Sequence, residues 1–100
     1  MATLGKFTKD NGVFSGTIAT LNVRAKLQIV PAEHKSSDTA PDYIVRSGRV
    51  EVGAAWARAR QSDGGEYLSV KLDDPSFAAP IHATLAKDKD GADYSLIWTR

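Results

Sequence analysis

Alternation with a period of two is the feature that most restricts what this chain can become. Val23, Ala25, Leu27 and Ile29 alternate with Arg24, Lys26 and Gln28, and Pro31 ends the run. Successive side chains of a strand point to opposite faces, so the pattern puts one face in a core and the other in water. The same rhythm returns in Val50, Val52, Ala54 and Trp56, and again in Leu68, Val70 and Leu72 around Ser69 and Lys71. The Ala-rich stretch 54–59 has helical propensity, but its β-branched neighbours favour a strand.

Turn signals divide the rest of the chain. Asp10-Asn11-Gly12 supplies left-handed backbone that folds Val13 to Leu21 back on Lys6-Phe7-Thr8. Tyr43 to Arg46 and Arg49 to Arg60 read as strands around Ser47-Gly48, and Ser62-Asp63-Gly64-Gly65 then leads into Tyr67 to Leu72. Asp73-Asp74-Pro75-Ser76 breaks that strand, with Phe77 placed to cover one end of the core. Ile81 to Ala86 and Tyr94 to Thr99 form a last hairpin around a polar loop containing Asp90-Gly91. The longest loop, residues 31–42, holds two prolines and no apolar period. The expectation is a single all-β domain over residues 1–100: a small antiparallel barrel or sandwich of about seven or eight short strands, an OB-like barrel among the options.

Composition narrows the function classes. The chain has no cysteine, which removes disulfides and thiolate metal sites. The N-terminal residues lack the apolar run of a signal peptide, and no stretch reaches membrane-span length, so a cytoplasmic protein without membrane contact is expected. Net charge is only +1, yet residues 1–60 carry nine Lys/Arg against five Asp/Glu, and residues 61–100 four against seven. This balance argues against a coat for long nucleic acid and leaves room for a local basic stripe.

Catalytic and metal chemistry find little support. His34 lies in the long loop and His82 on the wet side of a strand, neither inside a motif. Asp73-Asp74 and the run Asp88 to Asp93 read as turn formers, because a calcium loop needs more oxygen ligands and a closing glutamate. No phosphate loop or dinucleotide fingerprint occurs, so a non-enzymatic protein without cofactor, metal or small-molecule substrate is expected.

Binding therefore falls to surfaces, and one hairpin register decides what they offer. Pairing Arg60 with Tyr67 sets Arg58 against Ser69 and Trp56 against Lys71, which builds an exposed aromatic and cationic platform. Pairing Arg60 with Glu66 sets Trp56 against Val70 and sends Trp56, Val50 and Val52 into the core. The first register leaves both valines wet unless a bulge intervenes. Burial of one large apolar side chain, worth about 1.5–3 kcal/mol, favours the second. Trp98, Leu96 and Tyr94 are also expected in the core. In either register Arg24 and Lys26 project from the outer face of their strand, and Arg46 and Arg49 flank a turn.

Several segments carry a family likeness: Gly5-Lys6-Phe7, Gly16-Thr17-Ile18, Pro41-Asp42, Gly53-Ala54-Ala55-Trp56, the string from Tyr67 to Phe77, and Tyr94 to Arg100. On these the chain resembles the bacterial domain of unknown function seven-three-six family, over nearly its whole length. The resemblance implies an accessory protein of conjugative plasmids and integrative elements, and no activity or site residues. The alanine-tryptophan strand, glycine turn and Tyr67-Leu68-Ser69 are also faintly similar to small phage and plasmid single-strand-binding proteins with OB-type barrels. The expected partner is single-stranded nucleic acid, held by Arg24, Lys26, Arg46, Arg49, Arg58, Arg60 and Lys71 with Trp56 or Tyr67 stacking a base. The alternative is a host or plasmid protein of defence, replication or transfer, met at an unpaired strand edge or the acidic C-terminal half.

Overall fold

In the computed structural model, which describes residues 2–21, 23–33, 37–59, 65–88, 91 and 93–98, eight antiparallel strands follow one another around a closed barrel. They are β1 (Ala2–Asp10), β2 (Val13–Ala19), β3 (Arg24–Pro31), β4 (Tyr43–Ser47), β5 (Val50–Ala59), β6 (Glu66–Leu72), β7 (Ile81–Lys87) and β8 (Tyr94–Trp98). Each strand pairs with its sequence neighbours, and β1 closes the ring on β8 through pairs such as Lys6 with Ser95. This is a plain meander. An OB fold is a five-stranded Greek key, so the OB option is not the form adopted, and a two-sheet sandwich is excluded as well. Among the described residues no helix is long and apolar enough to cross a membrane.

Local chemistry explains the turns. Asn11 and Gly12 both have positive φ (53° and 82°), the two-residue arrangement whose twist matches a β-hairpin. At the β4–β5 turn Gly48 has φ 64°, leaving Arg49 at the tip. Residues 62–64 and Asp90, expected in turns, lie outside the described residues.

An eight-stranded barrel is just wide enough for side chains to fill. Phe7, Ile29, Val45, Ala55 and Leu96 are completely buried, with Phe14, Ile18, Leu27, Val70, Leu72 and Leu85 close to it. Leu96 is thus core as expected, and Tyr94 and Trp98 are half-buried against it. Gly16, flanked by Phe7 and Leu27, leaves room for the Phe7 ring.

Two bulges bend the wall. On β1, Thr3 pairs with Ile97 and Gly5 with Leu96, which leaves Leu4 as the extra residue. On β5, Glu51 pairs with Arg46 and Gly53 with Val45, which leaves Val52 as the extra residue. Both extra side chains serve the core: Leu4 is buried and Val52 packs against it. Both are followed by glycine, and a Cβ on Gly5 or Gly53 would collide with the carbonyl oxygen of Thr17 or Lys71 on the adjacent strand.

The β5 bulge corrects the expectation for Trp56. In the observed register Arg58 faces Tyr67, Trp56 faces Ser69 and Ala54 faces Lys71, two residues from the platform register and of the same facing. Trp56 is therefore on the outside, half-exposed, and the core register is not adopted. Burying a valine does not require that register, because the bulge lets Val52 turn inward while Trp56 stays out and Val50 remains exposed. The indole N–H also finds a partner outside, donating to the Thr39 carbonyl at 3.0 Å, which the apolar interior does not offer.

Replacing Gly53 with Ala is expected to lower stability by about 1–3 kcal/mol in urea denaturation, because backbone must move to admit the methyl. Gly48→Asn at the open β4–β5 turn, where nothing lies within 4 Å of a Cβ, is expected to cost less.

Candidate functional site

A meander sends all odd strands one way and all even strands back, so the barrel has two chemically different mouths. The lower mouth gathers the start of β1, the β2–β3 and β4–β5 turns and the 73–80 connection. Here the Asp74 carboxylate accepts hydrogen bonds from the Ser76 hydroxyl and backbone N–H, and the Phe77 N–H donates to the Asp74 carbonyl at 2.9 Å. That turn packs Phe77 against the core, as its sequence position suggested, beside Ile18, Leu27, Val52 and Leu72. The Ser76 hydrogen bonds hold the Asp74 carboxyl below the usual carboxylate range.

The upper mouth is where even strands begin and odd strands end. Every even strand has an aromatic residue in its first two positions: Phe14, Tyr43, Tyr67 and Tyr94. Three of the four odd strands have a basic residue in their last two: Lys9, Arg58 and Lys87. The rings converge. Phe14 meets Tyr94 edge-on at 4.9 Å between centroids and Tyr43 at 5.9 Å, and the Lys9 ammonium sits 5.4 Å from the Phe14 ring centre. Together with Glu66, Lys87 and Tyr67 they line an open cup of about 260 Å³.

From the rim of this cup a second surface runs down the outside of β5 and β6. Arg58 lies directly across from Tyr67, Trp56 follows beside Ser69, and Lys71 lies between Ala54 and His82. The 37–42 segment steadies the indole. Its Thr39 carbonyl accepts from Trp56 Nε1, and the Asp42 carboxylate accepts the Ala57 N–H at 2.9 Å, just ahead of the start of β4.

The sequence-derived site residues thus separate into two groups. Trp56, Arg58, Tyr67 and Lys71 share the β5–β6 face. Arg24 and Lys26 on β3, Arg46 on β4 and Arg49 at the β4–β5 turn gather toward the lower mouth, with Arg46 opposite Glu51. One groove does not join the groups, because Arg24 and Arg58 sit toward opposite ends of the barrel. Arg60 and His34 lie outside the described residues, and His82 is exposed on the outer face. Sequence reading missed Lys9, Phe14, Tyr43, Glu66, Lys87 and Tyr94 as one site, although the aromatic starts of the even strands are visible once strand direction is known.

The protein matches the model of one family over residues 3–100, described as a protein of unknown function (DUF736). The chain belongs to that family. This DUF736 chain is also similar to an Emericella nidulans protein named cysteine protease atg4, at 31% identity over 96 residues, which takes in 86% of this chain and 23% of that protein. The chain spans less than a quarter of that curated relative's length and has no cysteine, so the likeness brings it no thiol nucleophile. No solved structure matches.

One polar cluster on the DUF736 barrel wall has a structural role. Lys6 Nζ donates to Asp88 Oδ2 at 2.8 Å and to Ser95 Oγ at 2.7 Å, and the Ser95 hydroxyl donates to Asp88 Oδ1 at 2.6 Å. This ties β1, β8 and the end of β7 together across the closing seam.

The Lys6 and Ser95 hydrogen bonds hold the Asp88 carboxyl below its ordinary 3.8. A carboxyl with a depressed folded-state pKa stabilises the fold above its unfolded value, and that contribution is lost as pH falls through the folded value. Asp88→Asn is therefore expected to give a shallower loss of melting temperature on acidification below about pH 4 than the parent shows.

Proposed function

We propose that this protein is a non-enzymatic accessory factor of a mobile genetic element that binds single-stranded nucleic acid, with the β5–β6 face as its contact. The observation that carries this reading is the direct pairing of Arg58 with Tyr67 on the face that also presents Trp56 and Lys71. Aromatic side chains offer bases a stacking surface regardless of sequence, while cations beside them neutralise phosphates. The Thr39 and Asp42 contacts fix the Trp56 edge of that surface before any strand arrives, which lowers the ordering cost of binding. The mobile-element setting and a cytoplasmic location rest on the family resemblance and on the sequence.

A second reading, contact with a host or plasmid protein, draws support from the opposite end. Leu21 and Val50 are the exposed large hydrophobic residues among those described, and both lie toward the lower mouth. The edge-addition route loses its basis, since the closed ring leaves no edge strand. Pull-down from host lysate with the parent and Leu21→Asp tests this reading: a partner recovered only by the parent supports it.

Fluorescence titration with a single-stranded oligonucleotide, at low and moderate salt, checks the nucleic-acid reading. Tyr67→Ala is expected to cost about 1–3 kcal/mol of binding. Arg58→Ala and Lys71→Ala are each expected to reduce the salt dependence by about one phosphate contact, with Arg24→Ala causing a smaller change. Absence of binding at low salt would sink the proposal.

A further inference from the structure

The upper-mouth cup carries more than a continuation of the β5–β6 face. Its wall combines flat rings, unpaired cations and one carboxylate in a space for a single small group. All three tyrosines of the chain line it, and none of their hydroxyls has a hydrogen-bond partner among the described residues. Neither Lys9 nor Lys87 has a carboxylate within 4 Å among those residues, where Lys6 and Asp88 do form an ion pair. Among the described residues no buried side-chain polar atom lacks a partner, so the open groups of the cup are ones that face solvent. Polar groups left open to solvent around converging rings are the usual makeup of a small-ligand site, and barrel mouths are a common place for one.

The charges select the ligand class. An aromatic cup with a carboxylate suits a quaternary ammonium group, but two lysines on the same wall repel a cation. They favour a ligand with a flat ring and an anionic arm. The volume, about 260 Å³, lies below the roughly 300–1,000 Å³ of pockets for drug-sized ligands, which suits one nucleotide and not a dinucleotide.

We infer that the cup takes one nucleotide of a bound strand, its base among Phe14, Tyr43 and Tyr94 and its phosphate on Lys9 and Lys87. Glu66 accepts from the exocyclic amine of the base, the contact a carboxylate makes with cytosine N4. Tyr67 belongs both to the cup rim and to the Arg58 pair, so the strand passes from the β5–β6 face into the mouth without a gap. The inference deepens the nucleic-acid reading and rests on it, adding a site that holds one base apart from its neighbours.

Titration of the full chain with cytidine 5′-monophosphate, followed by NMR signals of Phe14, Tyr43 and Tyr94, tests it. Saturable shifts confined to the cup are expected, weaker by about tenfold in the Lys9→Ala/Lys87→Ala variant and unchanged in Lys71→Ala. Both variants alter exposed or partly exposed lysines outside the core, and an unchanged melting temperature verifies their fold. No saturable shift, a double variant that binds like the parent, or inorganic phosphate that competes as well as the nucleotide would each overturn the inference. An oligonucleotide that depends on Arg58 and Lys71, with the cup silent to the nucleotide, overturns the cup and leaves the β5–β6 reading intact. Nucleotide bound in the cup without oligonucleotide binding supports the cup and overturns that reading.

Discussion

Closure of the ring depends on two places where a bulge is followed by glycine. Leu4-Gly5 on β1 and Val52-Gly53 on β5 lie four strands apart, halfway around an eight-stranded barrel. At each, the extra residue delivers an apolar side chain to the interior and the glycine lets the neighbouring backbone come closer than any Cβ permits. A sheet this short in sequence closes only if it bends sharply, and bulges with glycine supply the bend. The Lys6, Asp88 and Ser95 cluster then fastens the seam where β1 meets β8.

The candidate surfaces are what this geometry leaves outside. The interior is lined by apolar side chains, and the β5 bulge separates the inward Val52 from the outward Trp56. The up-and-down order also makes the mouths different. Phe77 and the Asp74 turn occupy the lower one, while the upper one collects aromatic residues from strand starts and basic residues from strand ends. A surface of stacking groups and cations thus arises from strand polarity as much as from any local motif.

Much of the fold was legible in the sequence. Alternation marked the strands, and Asn11-Gly12 and Ser47-Gly48 marked turns that the backbone angles bear out. Register was not legible, because alternation fixes only which residues share a face and a bulge resets that parity in mid-strand. Area alone favours burying Trp56, but the indole N–H needs an acceptor, and the Thr39 carbonyl, 17 residues away in sequence, supplies one outside the core. Alternation places Arg24 and Lys26 outward, as observed, but the division of the basic residues between β3–β4 and β5–β6 depends on strand order. The cup was hidden for the same reason: Phe14, Tyr43 and Tyr94 are far apart in sequence and meet only in a closed meander.

The β5 bulge places Trp56, Arg58, Tyr67 and Lys71 on one outward face. Cross-strand nuclear Overhauser contacts along β5 and β6 measure it directly. The expected backbone contacts pair Trp56 with Ser69 and Arg58 with Tyr67, with Val52 unpaired against β4. Contacts that pair Trp56 with Val70 would put the indole in the core and contradict it.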